Sequence, residues 1–147
     1  MHSNRLAITS TRILVGLVFL WNVQCAVTFL LWPERYAPSF ELTGAVGNAM
    51  IQGLGVLFLM WNVPYAVALW HPFRYYISLY EALVMQTIGL LGESAIYLGI
   101  PFAHETARGS VIRFILFDAV GLLLLIIAAW ITWRHLRVPG SPVGHPS

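Results

Sequence analysis

The sequence contains no lysine, a single cysteine and few charged residues. One cysteine, Cys25, can form neither an intramolecular disulfide nor a zinc site made of several thiolates. Charged residues make up 10% of the chain, compared with about 25% in soluble domains. Its 8 basic residues are all arginines and are spread along the chain. Nucleic-acid binding requires a clustered basic surface, so we expect no nucleic-acid partner.

The motifs of common catalytic sites are also missing. No GxSxG, P-loop, CxxC or HExxH pattern occurs anywhere in the chain, so no residue is marked as a nucleophile, a nucleotide ligand or a redox thiol. None of the 5 histidines falls in the middle of an apolar run, and a haem held by two histidines would therefore lack its ligands. We expect no metal site and no haem, and the sequence favours a protein without catalytic activity.

Long apolar runs are the dominant feature of the chain. Apolar residues make up 59% of it and the mean hydropathy is +0.75, which is more apolar surface than a soluble domain of this size can bury. Four runs, at about residues 13–32, 45–70, 78–99 and 110–133, are each long enough to cross a hydrocarbon core about 30 Å thick. Backbone groups in lipid must be paired internally, so these runs should be helices. The sequence predicts an all-α, polytopic membrane protein in which residues 1–137 form an antiparallel four-helix transmembrane bundle, followed by a disordered Gly/Pro/Ser tail at 138–147.

The distribution of arginine predicts the orientation of the bundle. If the runs alternate in direction, one side carries Arg5, Arg12, Arg74, Arg134 and Arg137, and the other carries Arg35, Arg108 and Arg113. Cytoplasmic loops carry the excess of basic residues in membrane proteins. We therefore expect both termini in the cytoplasm. The absence of lysine beside abundant arginine is typical of GC-rich bacterial genomes, and we expect a multi-pass protein of the bacterial inner membrane.

The third run has two different faces. At the helical period, acidic, amide and glycine positions fall on one side and large apolar positions fall on the other. We expect the first face to point into the bundle and the second to face lipid. The inward set comprises Gln86, Gly89 and Glu93, and the outward set comprises Leu83, Leu90 and Leu98.

Ionisable residues inside the spans predict a polar cluster in the outer half of the bundle. Such residues are costly in lipid and mark candidate functional sites. By the helical rise, Glu93 and Asp118 lie roughly 7 Å and roughly 6 Å outside the midplane, and Arg113 lies in the same half. Two carboxylates and one arginine leave one carboxylate unpaired, which we expect to be protonated at neutral pH. The predicted ligand-binding or proton-responsive cluster contains Glu93, Arg113, Asp118, Gln52, Gln24 and Gln86.

Two further expectations follow from this cluster. Aromatic residues at similar depth, Phe114, Phe117 and Tyr97, should form apolar walls around the polar groups. Removing one partner of a buried ion pair is strongly destabilising, so Arg113→Ala should destabilise the protein more than Arg108→Ala, which is expected to remove a loop charge. An ion pair with a purely structural role is the alternative interpretation of the cluster.

Four apolar runs joined by short loops between Arg12 and Arg134, with acidic and amide residues inside them, form a plan that resembles the DoxX-like group of small bacterial membrane proteins. The resemblance concerns architecture and involves no signature motif. It implies a role in a quinone-linked or redox-related membrane process.

Three functions are compatible with these features. The first is a small integral membrane protein that binds a lipophilic ligand, such as a quinone, in the outer half of the bundle. The second is a non-catalytic accessory subunit of a larger membrane complex. The third is a minimal proton-coupled transporter, for which one four-helix unit is small unless it forms a homo-oligomer. In each case the lipid bilayer is the first partner.

Overall fold

The computed structural model describes residues 2–137, and every regular element in this range is helical. The elements are α1 (His2–Leu31), α2 (Pro33–Tyr36), a 3₁₀ segment (Ala37–Phe40), α3 (Gly44–Trp61), α4 (Val63–Trp70), α5 (Tyr76–Gly99) and α6 (Glu105–Leu136). Four stretches are long and apolar enough to cross a membrane, namely Arg5–Leu31, Gly44–Trp70, Tyr76–Gly99 and Glu105–Leu136. The predicted all-α class and the four long apolar helices are confirmed. The tail predicted at 138–147 lies outside the described residues.

Two helices extend beyond the apolar runs that predicted them. Helix α1 begins at His2 instead of near residue 13, and α6 begins at Glu105 instead of near residue 110. Once a helix has formed, each added residue gains one hydrogen bond at small cost, and no proline interrupts the polar flanks. The apolar runs therefore give the length of each segment that can lie in hydrocarbon. The helices themselves are longer, because a helix ends only where a proline or a capping residue interrupts its hydrogen bonds.

The second apolar run, predicted as one helix over 45–70, is divided at Asn62 into α3 and α4. Pro64 has no backbone N–H, and its ring would clash with the carbonyl group of Met60 in a continuous helix. Asn62 lies at the break with 4% of its surface exposed, and its side-chain Nδ2 donates a hydrogen bond to the carbonyl oxygen of Phe58 over 2.7 Å. The regular pattern resumes when Ala66 N donates to Asn62 O over 3.0 Å.

This break separates two different packing environments. Helix α4 packs against α1 and α5, while the backbone of α3 lies close to that of α1 and farther from those of α5 and α6. Helix α6 in turn packs against both α1 and α5. After Asn62, the second span packs against α5 as α4. Before Asn62, the same span forms α3 and leaves a space between its backbone and α6.

Two apolar clusters form the core on either side of that space. The larger one contains Val15, Val18, Tyr65, Ala68, Leu79, Ala82, Leu125 and Ala128. The smaller one contains Phe29, Ala37 and Ile51. The outer surface is apolar as well, with Leu98 83% exposed and Leu91 66% exposed. A helix that is apolar on both its buried and its outer face is typical of membrane spans.

The two predicted faces of α5 are only partly correct. Gln86 is buried and Leu98 is exposed, as the pattern predicted. Leu83, however, packs partly buried against the larger core cluster, so its assignment to the lipid face is wrong, and Leu90 is half-buried. The physical reason is that α5 contacts both α4 and α6. Two neighbouring helices cover a wider part of its surface, and this part includes Leu83.

Candidate ligand-binding site

A cavity of about 290 Å³ lies among α1, α3 and α6, next to the 3₁₀ segment. Its volume is at the lower end of the range for small-molecule sites, which is about 300–1,000 Å³. Half of its lining residues are aromatic, and most of the others carry polar side chains. The lining residues are Trp21, Asn22, Gln24, Cys25, Thr28, Phe29, Tyr36, Ser39, Phe40, Phe58, Ser110, Arg113, Phe114 and Phe117.

The aromatic wall is centred on Phe29, which is 2% exposed. Its ring centroid lies 4.9 Å from that of Tyr36, 6.0 Å from that of Phe58 and 6.2 Å from that of Phe114. The rings of Phe58 and Phe114 are 6.0 Å apart and within 11° of parallel. Rings at these separations attract one another through their edges and faces. Four separate helical segments thus contribute to one continuous aromatic surface, which Phe40 of the 3₁₀ segment extends.

Asn22 is the most buried of the polar lining residues whose side chains make no hydrogen bond to the described residues. It is 4% exposed, it lines the cavity, and its side chain makes no hydrogen bond to any other residue that the structure describes. Its amide offers two donors and one acceptor oxygen. The hydroxyls of Thr28 and Ser110, by contrast, already donate to the carbonyl oxygens of Cys25 and Ser39. Sequence reasoning left Asn22 out of the cluster, although an amide inside an apolar run is the signal that selected Gln24.

Arg113 is the one charged residue that lines the cavity. Its side chain is exposed, as are those of Gln24 and Trp21 nearby in the lining. Within residues 2–137 it forms no ion pair with Glu93 or Asp118, so the expected pairing is absent. Residues 113 and 118 are five positions apart, which places them about 140° apart around α6. Arg113 and Asp118 therefore point to different sides of their helix.

Asp118 has a different partner, in a chain of hydrogen bonds across α4, α5 and α6. The hydroxyl of Tyr65 donates to Gln86 Oε1, and Gln86 Nε2 donates to Asp118 Oδ1 over 2.8 Å. Tyr65 is fully buried and Gln86 is 2% exposed. Sequence reasoning missed Tyr65, even though a tyrosine hydroxyl in an apolar run must find a partner when it is buried.

Glu93 lies near this chain, because it follows Gly89 by one helical turn on α5 and Gly89 faces the Asp118 carboxylate. It is half-buried, and its Oε2 is buried without a hydrogen-bond partner among the described residues. Gly89 lies one turn before Glu93, and a Cβ atom there would collide with Oδ2 of Asp118. The absence of a side chain at Gly89 leaves room for the Asp118 carboxylate between α5 and α6. The structure thus brings Gln86, Glu93 and Asp118 together.

Two residues predicted for the site lie elsewhere. Gln52 is exposed, and its Nε2 donates to Leu30 O over 3.3 Å. Tyr97 does not line the cavity; its ring centroid lies 4.2 Å from the guanidinium carbon of Arg108. Arg108 Nη1 also donates to the carbonyl oxygens of Tyr97 and Ile100. Arg108 therefore caps the end of α5 and makes contacts that Arg113 lacks, contrary to its predicted role as a simple loop charge.

The segment between α2 and α3 covers one end of the cavity and is attached to α6 by Glu41. The Glu41 carboxylate contacts Nδ1 of His104 and accepts a hydrogen bond from the backbone N–H of Ala107 over 3.3 Å. The hydrogen bond with the His104 ring, together with that from Ala107, lowers the pKa of the Glu41 carboxyl. Glu41 itself has a positive φ of 58°, which turns the chain at the end of the 3₁₀ segment.

The cavity can hold a flat apolar molecule against the aromatic rings. The amide of Asn22 and the guanidinium of Arg113 can form hydrogen bonds with polar atoms of that molecule. Neither Glu93 nor Asp118 lines the cavity, so the lining itself carries no negative side chain. No group of three or more His, Cys, Asp and Glu side chains in residues 2–137 is arranged to hold a metal ion. No family model matches the chain, and no curated protein and no solved structure is significantly similar to it.

Proposed function

We propose that the protein is inserted in the bacterial inner membrane as an antiparallel four-helix bundle with both termini in the cytoplasm. Contacts between the first two spans support the alternating direction. Arg12 Nε near the start of α1 donates to Leu69 O near the end of α4, over 2.9 Å. Further along α1, Ala26 and Phe29 lie directly against Gly55 of α3. The pairing of early with late positions is what an antiparallel arrangement requires.

We further propose that the protein binds a lipophilic ligand in the cavity between α1, α3 and α6. The observation that carries this proposal is the aromatic wall enclosing Asn22, a buried amide without a partner. A polar group that is cut off from water without gaining a hydrogen bond costs about 1–3 kcal/mol, so a ligand that fills the cavity has to pair with this amide. A quinone, which the resemblance to DoxX-like proteins implies, has the flat ring and the carbonyl oxygens that such a site can accept.

The first test is saturable binding of a short-chain quinone, decylubiquinone, to the purified protein in nanodiscs. Quenching of tryptophan fluorescence reports occupancy, because Trp21 lies in the cavity wall. Thr28→Phe fills the cavity and should abolish saturable quenching. Thr87→Phe is the matched control, since Thr87 is also half-buried and its hydroxyl also donates to a backbone carbonyl oxygen, but it lies outside the cavity lining.

The outcomes separate the candidate functions. Saturable binding to the wild type and to Thr87→Phe, with loss in Thr28→Phe, supports the cavity as the ligand site. Equal quenching in all three proteins, as expected from simple partition into lipid, contradicts it. A second protein that purifies with the wild type in fixed proportion, together with no quinone binding, favours the accessory-subunit function.

A further inference from the structure

We propose that Asn22 selects the head group of the ligand, and that the site takes a flat ring that bears a hydroxyl or carbonyl oxygen and no positive charge. This inference rests on the proposed function and narrows it from lipophilic molecules in general to one chemical class. Three features of the site support it, namely the burial of Asn22, the position of Asn22 in the cavity and the charge of the lining.

The burial of Asn22 requires a polar ligand atom. Its side chain is 4% exposed and lines the cavity without a hydrogen bond to the described residues. A purely hydrocarbon ligand would exclude water from the amide and leave the amide unpaired, which is unfavourable. An amide both donates and accepts hydrogen bonds, so it can pair with a carbonyl oxygen or with a hydroxyl group.

The position of Asn22 favours a narrow, flat ligand group as the one that bears the polar atom paired with the amide. Asn22 and Phe29 both line the cavity from α1, two helical turns or about 10 Å apart. At the Asn22 end, the rings of Trp21 and Phe117 meet edge to face with centroids 4.6 Å apart. Between the ends, Phe58 and Phe114 present nearly parallel rings. An aromatic or quinonoid ring can stack on these faces and direct its oxygen toward Asn22.

The charge of the lining excludes one class of lipophilic ligand. Arg113 is the only charged residue among the lining residues, and a cationic amphiphile would meet it as a like charge in surroundings of low dielectric constant. Glu93 and Asp118 are not among the lining residues, so the lining offers such a cation no carboxylate. The lining therefore disfavours a positively charged head group.

The test compares two probes that differ by one hydroxyl group, 4-nonylphenol and nonylbenzene, in nanodiscs with the full chain. One buried hydrogen bond between neutral groups contributes about 1 kcal/mol, so the wild type should bind 4-nonylphenol about fivefold more tightly than nonylbenzene. Asn22→Leu has similar volume and no hydrogen-bonding group, and it should bind both probes equally. Asn48→Leu, the same substitution at a half-buried position of α3 outside the cavity, should keep the wild-type preference.

The outcomes distinguish this inference from the proposed function. Saturable but equal binding of the two probes to the wild type overturns the role of Asn22 and leaves the cavity as a ligand site. A preference that survives in Asn22→Leu also overturns the role of Asn22. Absence of saturable binding of either probe to the wild type overturns both proposals. If Asn22→Leu does not fold, the isosteric pair Asn22→Thr and Asn22→Val replaces it, with the preference retained in the threonine variant and lost in the valine variant.

Discussion

Gln86 and Asp118 are joined by a hydrogen bond of 2.8 Å from the amide Nε2 to the carboxylate Oδ1. The other end of the same amide accepts a hydrogen bond from Tyr65. A carboxyl group inside an apolar bundle is tolerated when it is paired, protonated or hydrated, and Gln86 provides the pairing here. The polar centre of the α5–α6 interface is thus held by an uncharged amide, while Arg113 lies at the cavity.

Removing this amide should destabilise the protein. We expect Gln86→Leu to lower the free energy of unfolding by about 1–3 kcal/mol, because it leaves Asp118 without its amide partner and leaves the Tyr65 hydroxyl only its 3.2 Å hydrogen bond to the carbonyl oxygen of Ala82. Gln52→Leu is the control, since Gln52 is exposed and makes one longer hydrogen bond. The measurement is reversible unfolding in mixed detergent micelles. Equal effects of the two substitutions would contradict a structural role for the Gln86 amide.

Gly89 and Gly92 of α5 should respond in opposite ways to alanine. A Cβ at position 89 collides with Asp118, whereas a Cβ at position 92 meets open space. We expect Gly89→Ala to lower the melting temperature and Gly92→Ala to leave it unchanged or raise it, because alanine favours a helix over glycine by about 1 kcal/mol. In an Asp118→Ala background the penalty of Gly89→Ala should disappear. A penalty that persists there would place the clash elsewhere.

The contact of Glu41 with His104 and Ala107 should make stability depend on pH in the acid range. Since these contacts lower the pKa of Glu41 in the folded protein below its ordinary value of 4.5, their contribution is fully present above pH 4.5 and is lost as the pH falls through the folded-state pKa. Wild type should therefore be more stable than Glu41→Gln at neutral pH, and the difference should shrink below pH 4.5. Thermal unfolding of both proteins over this pH range measures it.

The control for this effect is Glu34→Gln. Glu34 is exposed on α2 and forms no ion pair with the described residues. A difference between wild type and Glu41→Gln that stays constant from neutral pH to below pH 4.5 would show that the carboxylate charge does not hold the segment to α6.

Arg108 should contribute more to stability than Arg113, which reverses the order expected from the sequence. Arg108 donates to two carbonyl oxygens at the end of α5 and lies against the rings of Tyr97 and Phe102. Arg113 is exposed and has no ion pair in the described part of the chain. We expect Arg108→Ala to cost about 1–2 kcal/mol and Arg113→Ala to cost less. The unfolding midpoints of the two variants show which substitution lowers stability more, and a larger loss in Arg113→Ala would contradict this prediction.

The proposed orientation predicts the side of each connecting segment. A reporter fused after Tyr36 should lie on the periplasmic side, and one fused after Arg137 should lie on the cytoplasmic side, since positive charge is enriched in cytoplasmic segments. Paired alkaline phosphatase and green fluorescent protein fusions at both positions provide the measurement. Activity of the same reporter at both positions would contradict the four-span arrangement.

Local chemistry in the sequence accounts for the helices and for part of the polar pattern. Twenty or more consecutive apolar residues require a helix in lipid whatever surrounds them, and the stop at Pro33 follows from the missing N–H of proline. The inward position of Gln86 and the outward position of Leu98 follow from the helical period. The break at Asn62 could also have been read from Pro64, although the apolar run around it pointed to one helix.

The sequence by itself determined that this chain forms four long apolar helices with polar groups inside them, because each of those properties depends on residues within one helix. The tertiary structure decided which polar groups meet. Asp118 pairs with Gln86, and Arg113 lies at the cavity, because the rotation of α5 and α6 about their axes depends on how each packs against its neighbours. The cavity likewise exists only where α3 lies away from α5 and aromatic rings from separate segments meet. The sequence pattern of a single helix cannot predict this, because it does not determine how the helices are placed relative to one another.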